Sequence, residues 1–221
     1  LGIELGSTRI KGVLIDFAGN VLAVGIHDWE NSFIDNIWTY SLEEIHTGVR
    51  DCYSCLRKEV ERTYGVPLKN IGAIGISAMM HKDGNQIAPF QTWRNTNTQD
   101  AADELTDLFQ FNIPLRWSVA HLYQRILDQE EHVRNLDYVS TLSAYIHWKL
   151  TGERVIGIGD AAGMFPIDSK THDYDEDMVQ KFDALTEKYQ YSWKLRDIFP
   201  KVLTAGEQAG VLTEAGAAFL D

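Results

Sequence analysis

Cysteine is scarce in this chain: Cys52 and Cys55 are the only two among 221 residues. His46 lies one to two helical turns upstream of them. A structural zinc site needs four ligands and usually a second pair, which the chain does not have. The two are read as reduced cysteines of a cytoplasmic protein. Basic charge is also in deficit. Lys and Arg total 20 against 32 Asp and Glu, a net charge of −12, which argues against a nucleic-acid or acidic-membrane surface. No apolar run approaches the length of a bilayer span, and no charged-then-apolar start suggests a signal peptide. Internal repeats, low-complexity tracts and flexible linkers are missing too. What remains is 44% hydrophobic, enough to bury a core as one continuous domain over residues 1–221. The chain opens on Leu rather than Met, so further residues are expected before it in the gene.

The most informative segment is Leu1-Gly-Ile-Glu-Leu-Gly-Ser-Thr-Arg-Ile-Lys11. A short apolar strand holding Glu4 is expected to turn through Gly6-Ser7-Thr8 and leave as a second strand over 10–16. Gly6 lets a backbone approach an anion closely, and the Ser7 and Thr8 hydroxyls and the turn's N–H groups can donate to phosphate oxygens. Lys11 adds a point charge, and Glu4 can hold a hydrated Mg²⁺. Taken alone, these residues fit an ordinary hairpin equally well, because small polar residues suit any turn. Phe17-Ala-Gly19-Asn20 then predicts a second turn and a third strand over 21–27.

A loop over 28–40 leads to a strong helix signal. Ser41 and Glu44 form a capping box, and Leu42, Ile45, Val49, Cys52, Leu56 and Val60 repeat at helical spacing until Gly65 and Pro67. Ile71 to Ser77 is almost wholly apolar or small, a buried strand. Helices are expected over 98–110, 119–128, 141–150 and 175–189, a short strand over 137–140, and a Gly-rich connection over 157–164.

Strand, Gly-Ser-Thr turn, strand, Asp16-x-x-Gly19-Asn20 turn and strand together resemble the opening of the actin-like ATPase fold. The closest resemblance is to the FGGY carbohydrate kinase family, in its xylulokinase-like branch. That family opens with an apolar-Asp-x-Gly-Thr/Ser turn followed by Lys or Arg; here Glu4 stands where Asp is usual. The resemblance implies an α/β domain, the ribonuclease-H-like half of that fold, with a mixed five-stranded sheet flanked by helices.

Further matches follow in order along the chain. Met80-His81 is similar to the end of the family's Gly-Gln-Met-His, with Met79 replacing Gln. His81 can bond a sugar hydroxyl and Met80 can pack on the ring. Phe90-Gln-Thr-Trp93-Arg-Asn95 resembles the apolar-Trp-x-Asp stretch that lines the sugar, with Asn95 in place of the acid. Arg116 and Trp117 match a pair that borders the substrate; the residues alone equally suit a helix start capped by Ser118 with Trp117 as staple. Asp160-Ala-Ala-Gly163-Met-Phe and the preceding Leu150-Thr-Gly152 also match. Between His81 and Pro89 the chain is several residues shorter than the family's strand–turn–strand, which leaves a shortened loop or an omitted segment open.

The resemblance implies ATP and Mg²⁺ as cofactors, with phosphates on Gly6, Ser7, Thr8, Arg9 and Lys11 and the metal on Glu4. A sugar or polyol would face Met80, His81, Trp93, Asn95, Arg116, Trp117 and Asp160. The general-base Asp and the adenine pocket belong to a C-terminal kinase domain beyond Asp221, so these 221 residues alone are expected to be inactive. Two rivals stand beside this reading: a non-catalytic ligand-binding module of the same fold, supported by Glu4 and Asn95, and a chaperone-like or cell-shape ATPase. Trp38 and Trp193, taken as exposed aromatics, leave room for a homodimer.

Overall fold

Period-two alternation sets the first three strands, β1 (Gly2–Leu5), β2 (Arg9–Ile15) and β3 (Val21–Asp28). Ile3, Leu5, Ile10, Leu14 and Ala23 point inward, while Glu4, Arg9, Lys11 and Ile26 face solvent. The computed structural model describes residues 1–71, 75–77, 79–81, 88–89, 91–92 and 94–221, with backbone only for 75–77 and 79–81. The strands pair antiparallel, with Glu4 opposite Lys11 and Lys11 opposite Ile26. Asp16 closes the β2–β3 turn by accepting from the Ala18 and Asn20 amides at 2.8 and 2.9 Å, and Gly19 takes the left-handed φ of 88° that the turn requires.

The stretch read as a loop contains a hairpin, β4 (Ser32–Ile34) and β5 (Ile37–Thr39). Its two-residue turn, Asp35-Asn36, has φ of 49° and 62°, the left-handed pair that tight hairpins demand and that Asn and Asp tolerate best. Helix α1 (Leu42–Tyr64) begins with the predicted capping box and ends at Gly65 in the left-handed region. It lays Ile45, Val49, Cys52, Leu56 and Val60 on β2 and β3. Glycines make that approach close. A methyl group on Gly25 would sit 2.0 Å from the Cys52 carbonyl oxygen, and one on Gly48 would sit 2.6 Å from Ile10.

Strand β6 (Gly75–Ser77) then enters parallel to β1, with Glu4 opposite Ser77. Among the described residues the sheet has four strands, ordered β3-β2-β1-β6, where five were expected. The candidate fifth strand, β8 (Val139–Thr141), instead pairs antiparallel with β7 (Met79–His81), displaced beyond the end of β6. Residues 72–74, within the expected strand over 71–77, lie outside the described residues. Because β1 and β6 run parallel, both leave the sheet on the side of the Gly6 turn.

Beyond it come α2 (Gln99–Phe109), α3 (Ser118–Leu127) and α4 (Leu142–Thr151). Short elements follow: β9 (Val155–Gly157), α5 (Ile158–Ala161), β10 (Ile167–Asp168) and β11 (Asp173–Tyr174). The chain closes through α6 (Glu176–Thr186), α7 (Leu195–Ile198), β12 (Lys201–Leu203) and α8 (Glu214–Leu220). Among the described residues a small apolar cluster of Leu14, Ala23, Leu56 and Val60 and two larger ones result. One joins the sheet to α1, α4 and α8 through Ile3, Ile10, Val49, Tyr145, Ile146 and Phe219. The other unites α2, α3, α6 and α7 around Leu105, Tyr123, Phe165, Phe182 and Leu195.

Several expectations are corrected. The Gly-rich stretch over 157–164 is not a plain connection, since α5 forms within it and the Gly163 and Met164 amides bond back to Asp160 and Ala161. Ser118 does not cap α3; it is the first helical residue, Trp117 holds the cap position, and the Val119 amide bonds the Met164 carbonyl at 3.0 Å. Trp193 is buried at 6% exposure, its indole N–H donating to Val133 and its ring stacked on Tyr191, so it offers no surface for a dimer. Cys52 is buried and its thiol is pushed up to about 11 by burial; Cys55 is exposed, and both are free. No group of three or more His, Cys, Asp or Glu among the described residues is placed to hold a metal, and no described helix is long and apolar enough to cross a membrane. The short spacing between His81 and Pro89 falls on residues 82–87, which lie outside the described residues.

Candidate functional site

The turn between β1 and β2 is closed by one bond, from the Gly6 amide to the Arg9 carbonyl at 2.9 Å. A Cβ on Gly6 would stand 3.0 Å from that same oxygen, tighter than side chains tolerate, which explains the glycine. The next three carbonyls are each held from behind. The Trp29 indole N–H donates to Gly6 O at 2.6 Å, the Tyr40 hydroxyl to Ser7 O at 3.1 Å, and the Trp29 amide to Thr8 O at 3.2 Å. In a trans peptide the carbonyl and the following N–H point opposite ways. Turning the Gly6 and Ser7 carbonyls inward therefore turns the Ser7 and Thr8 amides outward. Neither amide, and neither hydroxyl, has a partner among the described residues. The turn thus holds four polar donors that an approaching anion can use, the kind of group that binds phosphate oxygens.

Charge around the turn is mixed. Glu4, Arg9 and Lys11 share the outward face of the sheet, Glu4 and Lys11 as direct cross-strand neighbours. Arg9 is drawn 3.6 Å from Asp28 in an exposed pair, worth little by itself. A carboxylate and an ammonium beside four neutral donors suit a phosphate that arrives with its own cation.

The turn is tied to the segment before α2. On β5, the Trp38 amide donates to Asn95 Oδ1 at 2.9 Å, and Asn95 Nδ2 donates to the Trp38 and Thr92 carbonyls at 2.9 and 3.0 Å. Asn95 is 5% exposed, so its amide is engaged by backbone on both sides and faces the hairpin. An aspartate there would meet two carbonyl oxygens with no proton to offer them, the reason Asn suits this position. The hairpin therefore spans from Asn95 to the phosphate turn, two residues from Trp38 to Tyr40.

The other predicted residues are distributed as follows. Met80 and His81 lie on β7, where their backbones pair with Ser140 and Val139. Trp93 lies outside the described residues. Arg116 is exposed, and Trp117 is half-buried against Phe111 with ring centroids 6.2 Å apart. Asp160 accepts from Ser143 Oγ and, at 3.4 Å, from Thr141 Oγ1. Thr141 also caps α4, so the Asp160 charge sits at that helix's positive end. A hollow of about 140 Å³ opens between α3 and β8, lined among the described residues by Gln91, His121, Arg125, Glu130 and His132; of the residues predicted for the site, those with described side chains do not line it. Burial there pushes His121 down to about 4.

Sequence reasoning missed Trp29 and Tyr40. Their rings stack at 4.2 Å between centroids and 7° between planes, and they supply the donors behind the turn. The Asp35-Asn36 dipeptide was the available signal, because a hairpin there is what brings Tyr40 back to Ser7.

With the geometry established, comparison with known proteins decides the family. The profile of the FGGY family of carbohydrate kinases, N-terminal domain, matches residues 1–220. The chain belongs to that family. The L-fuculokinase of Escherichia coli strain K12 is 23% identical over 242 residues, covering 100% of this chain and 47% of that protein. The xylulose kinase of Lactococcus lactis subsp. lactis strain IL1403 is 23% identical over 205 residues, covering 83% of this chain and 39% of that one. Among solved structures, the xylulose kinase from Rhodospirillum rubrum superimposes with a TM-score of 0.78 at 19% identity, over 99% of this chain and 45% of that one. The FGGY domain thus has the actin-like fold of sugar kinases and spans less than half the length of the relatives it matches.

Proposed function

We propose that the protein to which this FGGY domain belongs transfers the γ-phosphoryl group of ATP to a hydroxyl of a ketopentose-like sugar. The observation that carries this reading is the turn itself: three carbonyls held from behind, and two amides and two hydroxyls without a partner among the described residues. The donor set fits a polyphosphate tail, and the exposed carboxylate of Glu4 fits a hydrated Mg²⁺ held through water. Bound there, the metal would neutralise charge on the phosphates.

The reading gives each residue the following part. The Ser7 and Thr8 amides and hydroxyls and the Lys11 ammonium bind and orient phosphate oxygens; Gly6 keeps the approach open; Arg9 sits at the turn's exit. Met80, His81 and Trp93 form the acceptor side, bordered by Arg116 and Trp117. Asn95 and Asp160 support that side through the hairpin and the start of α4. The proton of the accepting hydroxyl goes to an Asp of a C-terminal domain, which also holds the adenine, and closure of the two domains excludes water. The protein works in the cytoplasm, where ATP is supplied.

The second reading, a module that binds sugar without transferring phosphate, is favoured by Glu4 and Asn95 standing where the family has Asp. One experiment separates the two: the full-length protein is given Mg·ATP with xylulose, ribulose, fuculose or a pentitol, and ADP release is followed. Kinase function predicts ADP formation that depends on at least one acceptor. Calorimetric sugar binding without any acceptor-dependent ADP would support the module and end the kinase reading.

A further inference from the structure

The donors behind the turn come from two residues far from it in sequence, and both are almost fully buried: Trp29 at 8% and Tyr40 at 6% exposure. Together they fix all three carbonyls from Gly6 to Thr8. A four-residue turn of Gly, Ser, Thr and Arg has little intrinsic preference for one set of peptide orientations. Rotating a single peptide plane would swing a carbonyl oxygen into the place of an N–H and present a partial negative charge to the incoming phosphate. What opposes that rotation is the stacked pair. Tyr40 is held by the hairpin, through Trp38 and its two backbone bonds to Asn95. Trp29 directly follows β3 and lies flat against Tyr40, so the two rings hold each other while each grips the turn. Burial also raises the Tyr40 hydroxyl above its ordinary value, which keeps it protonated and a donor.

We infer that Trp29 and Tyr40 are positioning residues for nucleotide binding, a clamp that presents the Ser7 and Thr8 amides to phosphate. The clamp acts on the nucleotide side alone, although its anchor, Asn95, lies on the acceptor segment. The inference rests on the phosphate-binding reading above and adds to it the residues that make the turn competent.

The test uses the full-length protein and two conservative variants. Tyr40→Phe keeps the stacked ring and deletes the hydroxyl; Trp29→Phe keeps an aromatic and deletes the indole N–H. Mg·ATP binding is measured by calorimetry, together with KM for ATP, KM for the acceptor and the thermal midpoint. Each variant is expected to weaken ATP binding about 5-fold, the usual net effect of one hydrogen bond, and the double variant more than either. Acceptor KM is expected to stay within 2-fold, and the thermal midpoint of Tyr40→Phe close to that of the parent. A merely structural role would instead lower the midpoint and move both KM values together, and that result overturns the clamp. So does unchanged ATP affinity in both variants, with the phosphate reading left standing because the parent still binds. A parent protein that binds no nucleotide overturns the clamp and the reading beneath it.

Discussion

Thr8→Asp in the full-length protein is expected to raise KM for ATP at least 100-fold. Thr8 is exposed at the tip of the turn, so the substitution has little packing to disturb, and the fold should survive with a thermal midpoint within a few degrees. Its effect is electrostatic. A carboxylate set among donors arranged for an anion faces the phosphates directly; two unit charges about 4 Å apart at a protein surface repel by roughly 4 kcal/mol. Allowing for screening, about 2.7 kcal/mol remains, which is the 100-fold. Thr8→Asn, uncharged and of similar size, is the control and should change KM less than 10-fold. Equal behaviour of the two variants would mean that no phosphate approaches Thr8.

Gly25→Ala should leave no folded protein at all. The new methyl would be placed 2.0 Å from the Cys52 carbonyl oxygen and 2.9 Å from the Leu56 amide nitrogen, both backbone atoms of α1. Flexible side chains can step aside; a helix backbone has to shift as a body. Such a shift would pull Val49, Cys52 and Leu56 from the sheet core, where each is wholly buried. The cost is about 4 kcal/mol or more, a large share of the stability of an ordinary domain. Expression of Gly25→Ala beside Gly19→Ala checks this. Gly19 has open space around it and loses only its left-handed turn conformation, so that variant should fold with modest destabilisation. Equal yields and midpoints would contradict the tight α1–β3 contact.

Much of this was legible in the sequence where local chemistry and tertiary packing agree. The capping box at Ser41, the stripe from Ile45 to Val60 and the stop at Gly65 each state one helix in three independent ways, and the helix stands where they put it. The β1–β2–β3 meander was equally plain, because alternation and turn residues coincide. Legibility failed where the deciding partner is distant. Nothing beside Asn95 in the sequence tells that its amide meets Trp38, 57 residues away. Asp160 likewise found Ser143 and Thr141 at the head of α4. Nothing local to Trp193 marks it as buried; its indole is satisfied by a carbonyl 60 residues upstream. The clamp was hidden for the same reason, since Trp29 and Tyr40 acquire meaning only when the hairpin folds them back onto a turn made of the first nine residues.

The central claim is that the bend from Gly6 to Arg9 receives the phosphates of a nucleotide, next to an acceptor site at the end of β6. A crystal structure of the full-length protein with Mg²⁺ and a non-hydrolysable ATP analogue tests it most directly. Phosphate oxygens are predicted within hydrogen-bonding distance of the Ser7 and Thr8 amides, with the Trp29 and Tyr40 bonds to the turn intact. An analogue bound with its phosphates elsewhere, and the two amides facing solvent or another side chain, would contradict the account.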